Sequence, residues 1–454
     1  MASASEQLAA NMNLGVFAKA KELQNRLLFT LGILIIYRLG TFVPIPGMDM
    51  AAFQTAFTAG GGGILTRLNM FAGGAVERMA IFALNVMPYI SASIIMTLMK
   101  GSIPSLKELD KDGEQGRKQI NQYTRYLTVF LAAFQAFGIA RALQGTPDAV
   151  INPGLFFQAS TVITLVGGTM FLMWMGEQVT ARGVGNGVSL IIFAGIVAEL
   201  PKAIFQAFEL NQQGTVSELL LLFLIVMFIG LSMLIVYVER AQRRLLVQYP
   251  KRQMAGGKTF GGESSFMPLK LNTAGVIPPI FASSLLLLPA TLGPILMNNG
   301  GEEGTGITGT ILAFISYGSP LYLTLYAVLI IFFCFFYVPY VFKPDDVADN
   351  LRKNGGFLPG IRPGKRTADY LSYVLSRLTF IGAVYVAFVC VLPELIIARQ
   401  GGAIPPSVAM LIGGMSLLII VSVTLDTVAQ IQSHLVAHQY EGLIKKSRMR
   451  RRNR

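Results

Sequence analysis

The chain has 454 residues, 53% of them hydrophobic and 13% charged, against about 25% charged in a soluble domain; this excludes an ordinary water-soluble globule and places the chain in a membrane. Its formal net charge of +13 fits nucleic acid or an anionic membrane surface, and the location of the charge decides between them. The two cysteines, Cys334 and Cys390, lie inside apolar runs, which implies neither a disulfide framework nor a zinc site, and no cofactor is expected.

Residues 1–26 are polar and weakly amphipathic, with no compact apolar core followed by a small-residue cleavage site, so the first span is expected to act as its own insertion signal. About 20 apolar residues cross a ~30 Å hydrocarbon layer. Runs of that kind recur at 27–43, 79–99, 124–143, 155–176, 187–206, 218–238, 273–297, 311–342, 374–397 and 404–425. Ten spans put both termini on one side. Lys and Arg concentrate in the loops after the second, sixth and eighth runs and in the tail KKSRMRRRNR, while 44–63, 144–154, 209–217 and 298–310 contain none. The positive-inside rule therefore assigns the termini and the basic loops to the cytoplasm.

This reading divides the chain into a cytoplasmic segment 1–26, an N-terminal half 27–210 of five spans, a C-terminal half 211–430 of five spans, and a basic tail 431–454. The second half carries large cytoplasmic loops at 239–272 and 343–373. Five spans on each side of Asn211-Gln212-Gln213-Gly214 have opposite topology, which permits an inverted repeat.

The second span is broken. Met79 to Met99 is apolar and uncharged, but a short piece, Ile64 to Phe71, precedes it across Ala72-Gly73-Gly74-Ala75 and the pair Glu77-Arg78. Glycines are costly in a helix and charges are costly in hydrocarbon, so the joint is expected to be a bend buried in protein or wet. Irregular backbone at membrane depth is tolerated only there.

Several motifs read better as structure than as chemistry. Gly256-Gly257-Lys258-Thr259 lacks the first glycine of a phosphate loop, since Arg252 stands there, and no strand is expected before it. Gly183-Val184-Gly185-Asn186-Gly187 opens a membrane helix and reads as a tight turn and cap rather than a dinucleotide fingerprint. His434 and His438 are i,i+4 but have no carboxylate between them. Arg38, inside the first span, would cost ~2.5–3.5 kcal/mol facing lipid at the centre and is expected to face protein or snorkel. No nucleophilic triad, carboxylate pair or metal cluster appears in the spans, so no enzyme is indicated. A passive channel and a secondary transporter of a small solute remain. Acids available for ion coupling, Glu177, Glu199, Glu239 and Asp426, fall near span ends and Glu77 at the bend, which favours the channel.

GGAVERMAIFALNVMPYISASII resembles the second membrane segment of the SecY family. The likeness continues through QYTRYLT at Gln122, INPG at Ile151, GTMFLMWMGEQVTARGVGNGVSLIIFAGIVAELP from Gly168, VERAQRR at Val238, AGVIPPIFASS from Ala274 and DNLRKNGGFLPGIRPGKRTADYL from Asp349. The resemblance implies an all-α membrane protein of ten helices in two inverted five-helix halves, conducting unfolded secretory polypeptides across a bacterial plasma membrane or its plastid equivalent. It implies a plug over 64–75, with Ile64, Leu65, Leu68, Asn69, Met70, Phe71, Gly73 and Gly74, and an aliphatic pore ring of Val86, Ile90, Val188, Ile192, Ile280 and Ile419. Within that ring Val86/Ile90 and Val188/Ile192 are i,i+4, one helix face each.

Hydrophobic segments would leave sideways between the second and seventh spans, at Ser91 and Leu288. Arg243, Arg244, Lys251, Arg252, Arg362, Lys365 and Arg366 would dock the motor SecA or the ribosome, with nucleic acid touched only as ribosomal RNA. SecE and SecG, signal peptides, nascent chains and membrane lipids are the other implied partners. Two departures stand out: Asn85 replaces a frequent glycine, and Pro279 doubles the proline of the seventh span, favouring a kink.

Overall fold

The computed structural model describes residues 21–59, 69, 71–145, 148–214, 217–249, 252–253, 259–260, 264–286, 319–399 and 413–452. Its helices are α1 Lys21–Gly40, α2 Met50–Ala59, α3 Met87–Ser102, α4 Pro104–Lys111, α5 Glu114–Gln144, α6 Leu155–Arg182, α7 Gly187–Gln212 and α8 Glu218–Arg240. After a β segment come α9 Ile277–Leu286, α10 Pro320–Val341, α11 Pro344–Lys353, α12 Lys365–Arg399 and α13 Gly414–Arg452. Among the described residues, seven helices are long and apolar enough to cross a membrane: α5 to α8, α10, α12 and α13, at the third to sixth and eighth to tenth runs. The chain is a multi-pass helical membrane protein. Of the other expected spans, the first is covered by α1 as far as Gly40, and the seventh is helical over α9, after bends and turns at 273–276 and with 287–297 outside the described residues.

The second span departs from expectation. Its helix begins at Met87 rather than Met79, and residues 72–86 form consecutive turns. Met79 and Asn85 have φ of 36° and 49°, a left-handed region that interrupts a helix. The turns are not left unsatisfied: the Ile45 amide donates to Met79 O and the Ile81 amide to Val43 O, both at 2.9 Å. Small residues admit the segment between two helices, since a side chain at Gly40 of α1 would overlap Phe82, and one at Gly168 of α6 would overlap the Ile81 carbonyl. Tyr37, Phe82, Phe171 and Trp174 continue the contact as a stack of rings at centroid spacings of 6.1, 6.2 and 5.8 Å. Asn85 explains its own departure from the family: asparagine is among the few side chains that visit the left-handed region in place of glycine.

The expected kink at Pro279 is absent. Pro278 and Pro279 occupy the first turn of α9, where the amides have no helical partner and a missing donor is tolerated.

Packing divides the chain into two compact units: Met1–Tyr89, Leu127–Ile204 and Ile419–Arg454 in one, Ile90–Tyr126 and Phe205–Leu418 in the other. In the first unit, Gly183–Gly187 is the tight turn and cap anticipated, with Gly185 at φ 91°. Its amides are met by Thr30 Oγ1 at Val184 (3.1 Å) and by Gln430 Oε1 at Gly185 (2.8 Å). Below it Leu23, Val184 and Leu435 form a small core.

In the second unit, among the described residues, the helices are joined by one stretch of strand. The loop after α8 is a β-hairpin, β1 Gln242–Gln248 antiparallel to β4 Ser264–Lys270, with a two-residue pair, β2 Arg252–Gln253 and β3 Thr259–Phe260, between them. A short strand therefore does precede Gly256, but it is half of a hairpin rather than the strand of a strand–loop–helix unit, so the phosphate-loop reading still fails. Leu245, Val247 and Leu269 pack with Leu358 and with Leu371, Val374 and Leu378 of α12. Gln248 and Phe357 exchange both backbone bonds at 2.9 Å. The two large basic loops are thereby one module on one apolar core. α11 is held in the same unit, with Asp345 and Asp346 in its first turn and Arg352 and Lys353 in its last, as its dipole favours.

Candidate functional site: the anchored bend and the aliphatic positions

The bend carries a cluster of polar contacts among the described residues. Asn69 Oδ1 accepts from the Glu77 amide at 2.8 Å, and its Nδ2 donates to Glu77 Oε2 at 3.3 Å. Lys202 of α7 donates to both Glu77 carboxylate oxygens at 2.9 Å. Asn85 donates to the Phe71 carbonyl. Asn69 and residues 71 to 85 are thus tied to one another and to α7 by side chains that hydrocarbon would not tolerate unpaired.

Arg38 does face protein. Its Nη1 donates to the Gly73 carbonyl at 2.6 Å, and its Nη2 lies 3.7 Å from Glu199 Oε1. Arg78 Nη2 lies 3.7 Å from the same oxygen. Both guanidinium groups stand over the Phe42 ring, at 5.0 and 4.4 Å from its centroid, where the face of the ring favours a cation. Gly73 and Gly195 bring backbone to backbone: a Cβ on Gly195 would sit 2.6 Å from the Phe71 carbonyl and 2.8 Å from Tyr37 Oη. Glu199 is not near a helix end, as its place in the sequence suggested, but in the middle of α7 and buried. Its two arginine neighbours make it an ion-pair member rather than an ion-coupling carboxylate. Glu239, near the end of α8, accepts from Asn272 at 2.7 Å.

Of the aliphatic positions, Val86, Val188, Ile192 and Ile419 belong to the first unit and Ile90 and Ile280 to the second. Val86 is fully buried, and Ile419, Ile192 and Ile280 are nearly so, whereas Val188 and Ile90 are half-buried. Val188 and Ile192 share a face of α7. Val86 precedes the first residue of α3, so the one-face argument does not extend to Val86 and Ile90. Val188 also lies against Gly176 of α6.

Asn69, Phe71, Gly73 and Gly74 of the expected plug lie within the described residues, and Ile64, Leu65, Leu68 and Met70 lie outside them. Ser91 is half-buried in α3, and Leu288 lies outside. Among the basic positions, Arg243 and Arg244 are exposed on β1 opposite Leu269 and Pro268. Arg362, Lys365 and Arg366 are exposed on the second loop. There Gly360 and Gly364 take φ of 80° and 101°, and Thr367 donates its hydroxyl to the Arg362 carbonyl at 2.9 Å, closing the tight loop expected. Lys251 and the side chain of Arg252 lie outside the described residues.

A multi-pass helical protein with an interrupted, polar-anchored second span and a paired set of basic loops is the architecture of a membrane channel. The SecY family model matches residues 80–428. The protein translocase subunits SecY of Rickettsia conorii and of Escherichia coli strain K12 are each 49% identical to this chain, over 94% of it and 97% and 95% of their own lengths. Among solved structures, a protein-conducting channel superposes with a TM-score of 0.63 at 18% identity, covering 90% of this chain and 92% of that one. A Sec61 channel in a canine ribosome–channel complex superposes with 0.59 over the same shares. The chain belongs to the SecY family, whose curated members are protein translocase subunits.

Proposed function

We propose that the chain conducts unfolded polypeptides across the bacterial plasma membrane and releases hydrophobic segments sideways into it, driven by a partner rather than by chemistry of its own. Family membership over 94% of the chain is the observation that carries this reading. The membrane-spanning part holds ten spans, with both termini and the basic loops in the cytoplasm. The segment 64–75 is the plug, and Val86, Ile90, Val188, Ile192, Ile280 and Ile419 form the constriction. An aliphatic constriction resists ions because it offers nothing to replace their hydration.

The hairpin and the second basic loop dock the SecA motor or the ribosome, and one neighbouring structure is named as a ribosome–channel complex. A shared apolar core supports joint docking, since a partner that engages one loop engages a module containing both. SecE and SecG complete the complex. The alternative of a small-solute transporter gains nothing from the comparisons, and the burial of Glu199 between two arginines counts against it.

The test is a disulfide between cysteines placed at Ser91 and Leu288. Export blocked on oxidation and restored on reduction supports the sideways exit. Full export with that crosslink demonstrably formed overturns it.

A further inference from the structure

The channel reading leaves one cluster without a role. Glu199 and Lys202 stand one helical turn apart on α7, on the same face, and both reach the bend. Lys202 binds Glu77 through two 2.9 Å contacts. Glu199 faces Arg78 and Arg38, and Arg38 in turn holds the Gly73 carbonyl. We propose that Glu199 and Lys202 form an ionic latch that fixes residues 69–78 in their resting position, and that opening the channel separates these pairs. This rests on the reading of 64–75 as a plug.

The geometry favours a releasable attachment over a permanent one. The two Glu199 contacts, at 3.7 Å, exceed hydrogen-bonding distance, so they are Coulombic and act without strict orientation. One carboxylate serves two guanidinium groups, and among the described residues Arg78 Nη1 is buried without a hydrogen-bond partner, so the cluster is held but not fully satisfied. The pairs are also partly open to solvent, with the Lys202 and Arg38 side chains 43% and 32% exposed, so their attraction is screened and modest enough to be given up when a translocating chain enters. The attachment therefore loosens when it must. On the moving side, Gly73 and Gly74 take φ of 63° and 80°, and as glycines they can leave that conformation at no steric cost.

The experiment measures resting ion conductance in vesicles holding the full translocase complex. Lys202→Glu places a second carboxylate beside Glu77 and is expected to raise conductance severalfold. The double variant Glu77→Lys with Lys202→Glu restores the pair with its charges exchanged and is expected to return conductance to that of the unaltered protein. Deletion of 64–75 is the reference. If the deletion does not leak, the plug reading itself fails. If it leaks while Lys202→Glu does not, or while the double variant stays as leaky as Lys202→Glu, the latch fails and the plug reading stands. Should Lys202→Glu not accumulate in the membrane, Glu77→Gln and Lys202→Gln remove one charge each at nearly constant size, and conductance unchanged in both overturns the latch.

Discussion

Lys202 and Glu77, 125 residues apart in sequence, meet through two contacts of 2.9 Å at a point where the second span is not helical at all. The meeting joins an irregular stretch of backbone to the face of α7 that also carries Glu199, and the proposed latch rests on it.

Asn85 tests the backbone half of this account. It is 1% exposed, takes φ 49° and donates to the Phe71 carbonyl. Asn85→Gly keeps the conformation and loses the bond, and is expected to cost ~1–3 kcal/mol. Asn85→Ala loses the bond and adds a left-handed penalty of ~1–2 kcal/mol. Unfolding in mixed micelles should therefore rank the native chain above the glycine variant and the glycine variant above alanine; alanine equal to or above glycine would contradict the assignment.

Gly195 tests the contact between α7 and the bend. A methyl group at this position would meet the Phe71 carbonyl oxygen at 2.6 Å, and a backbone oxygen cannot rotate aside. Gly195→Ala is therefore expected to destabilise by ~1–3 kcal/mol and to raise resting ion leak. Gly32→Ala, inside α1 with nothing within 4 Å, should leave the leak unchanged and should not destabilise. A leak measurement on the pair separates displacement of the bend from a general effect of alanine.

The ring positions make a chemical prediction rather than a steric one. Ile280→Asn or Ile192→Asn supplies polar partners for ions and should increase leak and relax the demand for a good signal sequence, whereas leucine at either site should do little. Equal leak from asparagine and leucine would show that volume, not polarity, controls the constriction.

The joined loops predict a shared fate. Leu245 is 7% exposed in the core that β1 shares with α12, and Leu245→Asp buries an unpaired carboxylate there. Limited proteolysis should then cut 239–272 and 343–373 together. Arg362→Glu, on an exposed side chain, should lower motor- or ribosome-driven export with no change in proteolysis, membrane level or topology.

Long apolar runs are legible because a span of ~20 residues leaves a composition that few other structures share. The boundary of the second helix is not. Between Met79 and Val86 the sequence is apolar apart from Asn85, with neither glycine nor proline, and the turns there are set by pairing with Val43 and Ile45 and by the small faces of Gly40 and Gly168, which are tertiary facts. Asn85 is the visible trace, a left-handed residue in an apolar run. The hairpin in the loop after α8 carries a local signal: Leu245 and Val247 are buried between Arg244, Leu246 and Gln248, the period of a half-buried strand. Glu199 is placed near a span end by sequence because α7 runs to Gln212, beyond the end of its apolar run. Charge partners separated by more than a hundred residues leave no local pattern, so the anchoring of the bend is invisible to any reading of neighbours along the chain.

The central claim, that a polypeptide passes the aliphatic positions, is tested most directly by site-specific photocrosslinking to a secretory chain arrested during translocation. A photoreactive residue at Ile192, 3% exposed, should yield an adduct with the arrested chain, and one at Phe223, 49% exposed on α8, should yield only lipid adducts. An arrested chain that labels neither site, or labels Phe223 as strongly as Ile192, would contradict passage through the ring.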